Sequence, residues 1–132
     1  MKAVIREKYG NQQVLKIGEL PIPIPSDNQV LVKVHASTVN AYDDHLLKGE
    51  PFPVRAMNGL TAPKNHRLGC DMAGVVEAIG DKVTKFKKGD EVFTCLADGN
   101  GDDAYSEYVC VSEDLLVIKP RGVLFEEAAT IP

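Results

Sequence analysis

Alternation of apolar and polar residues along the chain predicts a series of short β-strands. The strongest example is "QVLVKVHAST", in which valines recur at every second position, as expected for a half-buried strand. The other predicted strands are rich in β-branched and aromatic residues and are bounded by glycine, proline or charged turns. The predicted strands are residues 2–7, 29–38, 72–80, 91–96, 105–111 and 115–120.

A short helix is predicted between the second and third of these strands. Asn40 can cap its start, the acidic pair Asp43 and Asp44 suits its first turn, and Gly49 can end it. Because neighbouring helix residues point apart, this acidic pair is interpreted as capping and not as a catalytic pair of carboxylates. The pattern therefore predicts a helix over residues 40–49.

Proline-rich stretches separate these elements. Residues 20–28 carry three prolines, which excludes a central strand and predicts an extended connector that ends in a turn. Residues 50–67 contain three more prolines and show no clear period, so they are expected to form a long loop. A second helix is expected to begin within residues 123–132, and a flexible acidic loop is expected at Asp102 and Asp103.

Composition places the chain among single globular domains. It has 132 residues, 44% of them hydrophobic and 26% charged, and a net charge of −4. That balance offers no basic surface for nucleic acid. No run approaches the roughly 20 apolar residues that span a bilayer, so a cytoplasmic protein without membrane contact is expected. The three cysteines, Cys70, Cys95 and Cys110, are widely spaced and are expected to be reduced and mostly buried thiols.

The glycine-rich stretch "LGCDMAGVVEAIGDKVTKFKKGDEVF" could cradle a phosphate, shape a β-barrel, or hold a metal at Cys70 and Asp71. A phosphate cradle requires its glycines in a tight loop between a strand and a helix. Gly74 and Gly80 instead lie inside and at the end of a predicted strand. They are therefore expected to mark bulges or bends of a small barrel.

Taken together, "GCDMAGVVEAIGDKVTKFKKGDEVF", "NAYDDHLLKG", "YSEYVCV" and "LFEEAATIP" resemble the N-terminal part of medium-chain dehydrogenases/reductases, closest to their zinc-free quinone oxidoreductase-like branch. The resemblance implies a mainly β fold, a GroES-like partly open β-barrel with one or two short helices, over residues 1–132. It also implies that "ATIP" leads into a Rossmann domain, whose G-x-G-x-x-G motif does not occur in this chain. That domain would bind most of the NADP(H), the full-length protein would be a homodimer, and this chain alone would be inactive.

The resemblance also implies a site without zinc. Alcohol dehydrogenases of this superfamily bind zinc through a cysteine and a histidine at the positions of Asn40 and Cys70. A neutral amide replaces a strong thiolate ligand there, and Cys70 alone cannot anchor a metal. A set made of His45, His66, Cys70 and Asp71 is an alternative, but His66 in "PKNHR" is more simply interpreted as a solvated side chain.

Without a metal, hydrogen-bond donors must stabilise the negative charge that develops as hydride arrives. Tyr42 and His45 are three residues apart and so share one helix face, where a hydroxyl beside an imidazole can pass a proton to water. The resemblance places Tyr42 at the hydroxyl that contacts substrate oxygen, His45 at a proton relay, and Asn40 near the nicotinamide. Packing of Tyr42, surface exposure of His45 and simple capping by Asn40 are the structural alternatives.

Three functions follow from these features. The first is the substrate-side domain of a zinc-independent NAD(P)H-dependent oxidoreductase that reduces quinones or α,β-unsaturated carbonyls. The second is a zinc-dependent alcohol dehydrogenase with altered ligands. The third is a stand-alone GroES-like binding or assembly module, which a reading frame continuing past Pro132 into a Gly-rich turn would exclude.

Overall fold

A computed structural model describes residues 1–97 and 103–132 of the chain. Seven strands and three α-helices are found there. The strands are β1 (Lys2–Ile5), β2 (Lys16–Glu19), β3 (Gln29–Ser37), β4 (Asp71–Ile79), β5 (Glu91–Cys95), β6 (Tyr108–Ser112) and β7 (Val117–Ile118), and the helices are α1 (Ala41–Lys48), α2 (Phe52–Asn58) and α3 (Phe125–Ala128). Short 3₁₀ turns cover Gln12–Val14 and Glu113–Leu115.

The strands form two antiparallel sheets. The larger has the order β6-β3-β4-β5-β7, and the smaller pairs β1 with β2. Neither sheet closes on itself among the residues that are described, which agrees with the expected partly open barrel. The predicted mainly β class is confirmed.

The larger hydrophobic cluster lies on one face of the larger sheet, and a smaller cluster joins Ala73 of β4 to Ala128 and Ala129 at α3. Alternate valines of β3, Val30 and Val32, are completely buried, as are Met72 of β4 and Val92 of β5. Because successive residues of a strand point to opposite faces, the period-2 pattern of β3 directs these valines to a common interior. Each such side chain contributes about 1.5–3 kcal/mol to folding through the loss of apolar surface from water.

Gly74 lies where β3 and β4 approach closely. The register between these strands shifts between Val34 and Ala36, directly beside the pair formed by Val34 and Gly74. A Cβ atom on Gly74 would lie 2.2 Å from the carbonyl oxygen of Lys33. The irregularity expected at Gly74 is therefore confirmed, and the missing side chain is what permits the approach.

The helix predicted over residues 40–49 is confirmed with both of its ends. Asn40 is the N-cap of α1, and Asp43 completes a reciprocal capping box with it. Gly49 ends the helix in the left-handed conformation, with φ of 66°, that glycine adopts at low cost. The capping role assigned to the acidic pair is thus confirmed for Asp43.

Two elements correct the sequence-based prediction. Residues 50–67 were expected to be a loop, but they contain α2, which begins directly after Pro51 and has a second proline in its first turn. Proline is tolerated there because the first helical N–H groups need no intrahelical acceptor. The other omission is β2, whose residues "KIGE" lack a clear alternation and form a strand through pairing with β1.

The strands near the C-terminus are shorter than expected. The strand predicted at 105–111 begins only at Tyr108, and that predicted at 115–120 is reduced to two residues after a 3₁₀ turn. The helix expected at the C-terminal end is confirmed as α3.

Two further expectations concern the surface. Asp102 of the predicted acidic loop lies outside the described residues, whereas Asp103 forms an ion pair with Arg67, with Oδ1 and Nε 2.9 Å apart. Within the part of the chain that is described, every helix is too short to span a bilayer.

Candidate functional site

Asn40 occupies the junction between β3 and α1, and hydrogen bonds fix the orientation of its amide. Its Oδ1 accepts hydrogen bonds from the backbone N–H groups of Tyr42 and Asp43, at 2.9 and 3.3 Å. The oxygen therefore faces the helix, so Nδ2 must face the other way. Nδ2 donates to Oδ2 of Asp71 at 2.6 Å and to Sγ of Cys70 at 3.4 Å. All polar atoms of this side chain are thus engaged inside the domain.

The acceptors of this amide lie at the start of β4. Cys70 and Asp71 are 1% and 5% exposed. Oδ2 of Asp71 also accepts a hydrogen bond from Oγ1 of Thr38 at 3.2 Å. Oδ1 of Asp71 is buried and accepts no N–H or O–H hydrogen bond from the described residues. A buried carboxylate oxygen without such a donor is costly, so this atom needs a physical explanation.

Cys95 is a third member of this cluster, and the sequence-based analysis missed it. The antiparallel register of β4 and β5 places Cys95 directly opposite Asp71. Each of these three residues offers one possible ligand atom, and these atoms of Cys70, Asp71 and Cys95 lie within 4.8 Å of one another. Asp71 and Cys95 are 24 positions apart in the sequence, which conceals this proximity, and only the strand pairing reveals it.

The electrostatics of the cluster disfavour negative charge on its thiols. Burial is the largest of the effects that raise the pKa of the Cys70 thiol to about 12. The hydrogen bond from Asn40 opposes this rise, and the carboxylates of Asp43 and Asp71 add to it. Burial also raises the pKa of Cys95, to which hydrogen bonding with Asp71 and the Asp71 charge add. The protein thus holds both thiols protonated at neutral pH.

This arrangement predicts slow alkylation of Cys70 by iodoacetamide. Raising its pKa from 9.0 to about 12 lowers the thiolate fraction at neutral pH about a thousandfold, and thiolate is the reactive form. Peptide mass spectrometry after timed labelling of the native protein measures the rate at Cys70, with the urea-unfolded protein as the control. Native labelling of Cys70 within tenfold of the unfolded rate would contradict this electrostatic assignment.

Further hydrogen bonds hold the backbone around Asn40. Asp43, only 4% exposed, accepts the backbone N–H of Asn40 through Oδ2 at 3.0 Å, and burial raises its pKa. The hydroxyl of Tyr105 donates to the carbonyl oxygen of Thr38 at 2.9 Å. Thr38 in turn donates to Asp71 through Oγ1, so Tyr105, Thr38, Asp71 and Asn40 are linked by successive hydrogen bonds. Small movements of Asn40 would disturb several hydrogen bonds at once.

Tyr42 and His45 line a separate cavity of about 230 Å³ between α1 and α2. Their spacing of three residues places them on one helix face, as the sequence predicts. Pro51, Val54 and Met57 contribute apolar surface to the same cavity. The structure therefore brings Tyr42 and His45 together, whereas Asn40 belongs to the cluster of Cys70 and Asp71.

The hydrogen bonding of His45 fixes the position of its proton. Nδ1 lies 2.9 Å from the carbonyl oxygen of Glu50, which can only accept, so Nδ1 carries the hydrogen. In the neutral ring Nε2 is then the acceptor. An imidazole held in this tautomer can receive a proton at Nε2, as a relay requires.

The alternative metal set of His45, His66, Cys70 and Asp71 is not assembled. Nδ1 of His66 bonds the carbonyl oxygen of Arg6 at 2.8 Å, and its ring is exposed as expected. Among the described residues, Cys70 and Asp71 are grouped with Cys95 and with neither histidine. Two thiols and a carboxylate are ligands suited to zinc in type and number. The Asn40 amide, however, already donates hydrogen bonds to Cys70 and Asp71 and would compete with a cation for them.

Comparison with known proteins identifies the domain. Residues 26–121 match the alcohol dehydrogenase GroES-like domain. The chain belongs to that family. It is 37% identical over 132 residues to a quinone oxidoreductase of Sus scrofa, a match that covers 99% of this chain and 37% of that protein. This agreement confirms the resemblance to medium-chain dehydrogenases/reductases and the GroES-like fold.

Solved structures show the same relationship. The quinone oxidoreductase of Coxiella burnetii superimposes with a TM-score of 0.86 at 33% identity, covering 100% of this chain and 41% of that one. The Escherichia coli quinone oxidoreductase complexed with NADPH gives a TM-score of 0.81 at 28% identity, covering 98% of this chain and 36% of that one. The chain thus spans little more than a third of the length of the quinone oxidoreductase of Sus scrofa.

Proposed function

We propose that this chain is the substrate-side domain of a zinc-independent NAD(P)H-dependent oxidoreductase that reduces quinones or α,β-unsaturated carbonyls. The observation that carries the proposal is the fixed amide of Asn40. Its oxygen is committed to the N-terminus of α1 and its hydrogens to Asp71 and Cys70. At the position where related alcohol dehydrogenases have a zinc ligand, this domain therefore has a hydrogen-bond donor already satisfied by its neighbours.

The cofactor, bound mainly by a Rossmann domain, would supply the hydride. Asn40 would meet the nicotinamide ring by van der Waals contact, because its polar atoms are engaged within the domain. Negative charge then develops on the substrate oxygen or, for an enone, at the α-carbon. A donor placed at that charge lowers the barrier more than it stabilises the neutral substrate.

Tyr42 and His45 would supply the donor and the relay. The Tyr42 hydroxyl would donate its proton to the substrate oxygen. Nε2 of His45 would take up a proton from water and pass it to the Tyr42 oxygen, which restores the hydroxyl. The bond from Nδ1 of His45 to Glu50 holds the ring in the tautomer that this step needs. The cavity that both residues line is largely apolar, which suits a planar quinone or enone.

Metal removal tests zinc independence. The intact oxidoreductase, dialysed against a strong chelator and verified by elemental analysis, is expected to retain its full kcat for quinone reduction with NADPH. The physical reason is that hydrogen-bond donors supply the charge stabilisation. Assays with NADH and with an enone measure cofactor preference and substrate class in parallel.

The same measurement addresses the alternative of a zinc-dependent alcohol dehydrogenase with altered ligands. The grouping of Cys70, Asp71 and Cys95 is the observation that favours this second function. Activity that disappears on chelation and returns only with Zn²⁺ would establish it and end the zinc-independent proposal. The proposed setting is a cytoplasmic homodimer that acts on small molecules and not on nucleic acid or membranes.

A further inference from the structure

Three ligand atoms of the types preferred by thiophilic metals converge at the ends of β4 and β5. Cys70 immediately precedes β4, Asp71 begins it, and Cys95 ends β5. Their ligand atoms lie within 4.8 Å of one another, and one oxygen of the buried Asp71 lacks an N–H or O–H donor among the described residues. We propose that Cys70, Asp71 and Cys95 form a site for a thiophilic divalent cation, which on binding displaces the Asn40 amide.

The geometry is close to what such a cation needs. Tetrahedral zinc with Zn–S distances of about 2.3 Å places its ligand atoms about 3.8 Å apart. The three atoms here would therefore move together by about 1 Å at most. Since all three residues lie at strand ends, this contraction does not require a change in strand pairing.

The chemistry of the neighbours favours a cation over an empty cluster. The carboxylates of Asp43 and Asp71 both act on Cys70, and each is negative when ionised. A divalent cation neutralises this charge and supplies a partner for Oδ1 of Asp71, which accepts no N–H or O–H hydrogen bond from the described residues. Binding would release the two thiol protons.

The Asn40 amide and a bound cation would compete for the same ligand atoms. Its Nδ2 already donates to two of the three ligands, at 2.6 Å to Asp71 and 3.4 Å to Cys70. A bound cation must replace both hydrogen bonds, so it would detach the amide from β4 and disturb the start of α1. The cation is therefore an inhibitor of the proposed reaction and not its cofactor. Binding itself does not rest on the proposed function, but this inhibitory consequence does.

Cobalt titration tests the ligand set directly. Addition of Co²⁺ to the reduced, metal-free protein under anaerobic conditions is expected to give a saturable 1:1 rise in thiolate-to-cobalt charge-transfer absorption. Zn²⁺ should then displace the cobalt. Cys95→Ser should weaken binding about a hundredfold or more and reduce the absorption per metal, because one of two thiolates is lost. Cys110→Ser is the matched control and should leave the titration unchanged.

Asn40→Ser tests the competition. Serine retains the ability to cap α1 but lacks the amide hydrogens, so cation affinity should rise about tenfold. An unchanged or lower affinity in a variant whose circular dichroism matches the parent would overturn the displacement step.

X-ray absorption of the Zn²⁺-loaded parent protein makes the test independent of variant folding. Two sulfur neighbours at about 2.3 Å together with oxygen are expected. Fewer than two sulfurs, or no saturable binding, would overturn the site while leaving the proposed function intact. Conversely, activity that requires the cation would overturn the proposed function while leaving the site intact.

Discussion

Replacing Tyr42 with phenylalanine is expected to lower kcat and kcat/KM together by about a hundredfold in the intact oxidoreductase. The hydroxyl would donate only when negative charge develops on the substrate, so its removal should affect the transition state more than substrate binding. The aromatic ring, which lines the cavity between α1 and α2, is retained. Steady-state kinetics with NADPH and a quinone over a range of pH measure both constants.

The variant His45→Ala tests whether His45 relays a proton or only packs in the cavity. We expect about a tenfold decrease in kcat, because water replaces the imidazole inefficiently. Lys48→Ala is the matched control, since Lys48 is exposed on the same helix and forms a surface ion pair with Asp44. Unchanged kcat in both Tyr42→Phe and His45→Ala would show that these residues only pack.

The second large effect is expected in the free energy of unfolding of Gly74→Ala, which should fall by about 3 kcal/mol. The added Cβ would lie 2.2 Å from the carbonyl oxygen of Lys33 and 2.9 Å from Cγ1 of Val32. The first of these is a backbone atom held in the ladder between β3 and β4, so it cannot move aside without breaking strand pairing. Urea denaturation monitored by circular dichroism measures the change.

Gly89→Ala provides the control for this substitution. Gly89 has φ of 93° but no atom within 4 Å of the position of an added Cβ, so only backbone strain of about 1–2 kcal/mol is expected. A loss at Gly74 no larger than that at Gly89 would show that β3 and β4 can separate without cost. The comparison therefore isolates the close strand approach from glycine's conformational freedom.

Local signals explain which elements were predictable. The helix α1 carries an N-cap residue, an acidic first turn and a C-terminal glycine, and each of these acts within a few residues along the chain. The valines of β3 likewise report one buried face through their alternation. In contrast, α2 begins among prolines that usually signal a loop, although proline near a helix start followed by a glycine at its end was a usable signal.

In the candidate site, too, only contacts between residues close together in the sequence were predictable. Tyr42 and His45 were predictable as neighbours because helical periodicity relates residues three apart. The link from Asn40 to Asp71 crosses 31 positions, and the contact of Asp71 with Cys95 depends on the register between two strands. Neither distance follows from any local pattern, so the cluster of Cys70, Asp71 and Cys95 could not be read from the spacing of its members.

The amino-acid sequence by itself determined the β class, the capped helix α1, the position of the close approach at Gly74 and the family resemblance, because these depend on local periodicity, turn chemistry and short motifs. Tertiary structure alone decided the pairing of β2, the direction of the Asn40 amide and the meeting of two thiols with a buried carboxylate. Those features depend on strand register and burial, through which residues distant along the chain come within hydrogen-bonding or ligating distance of one another.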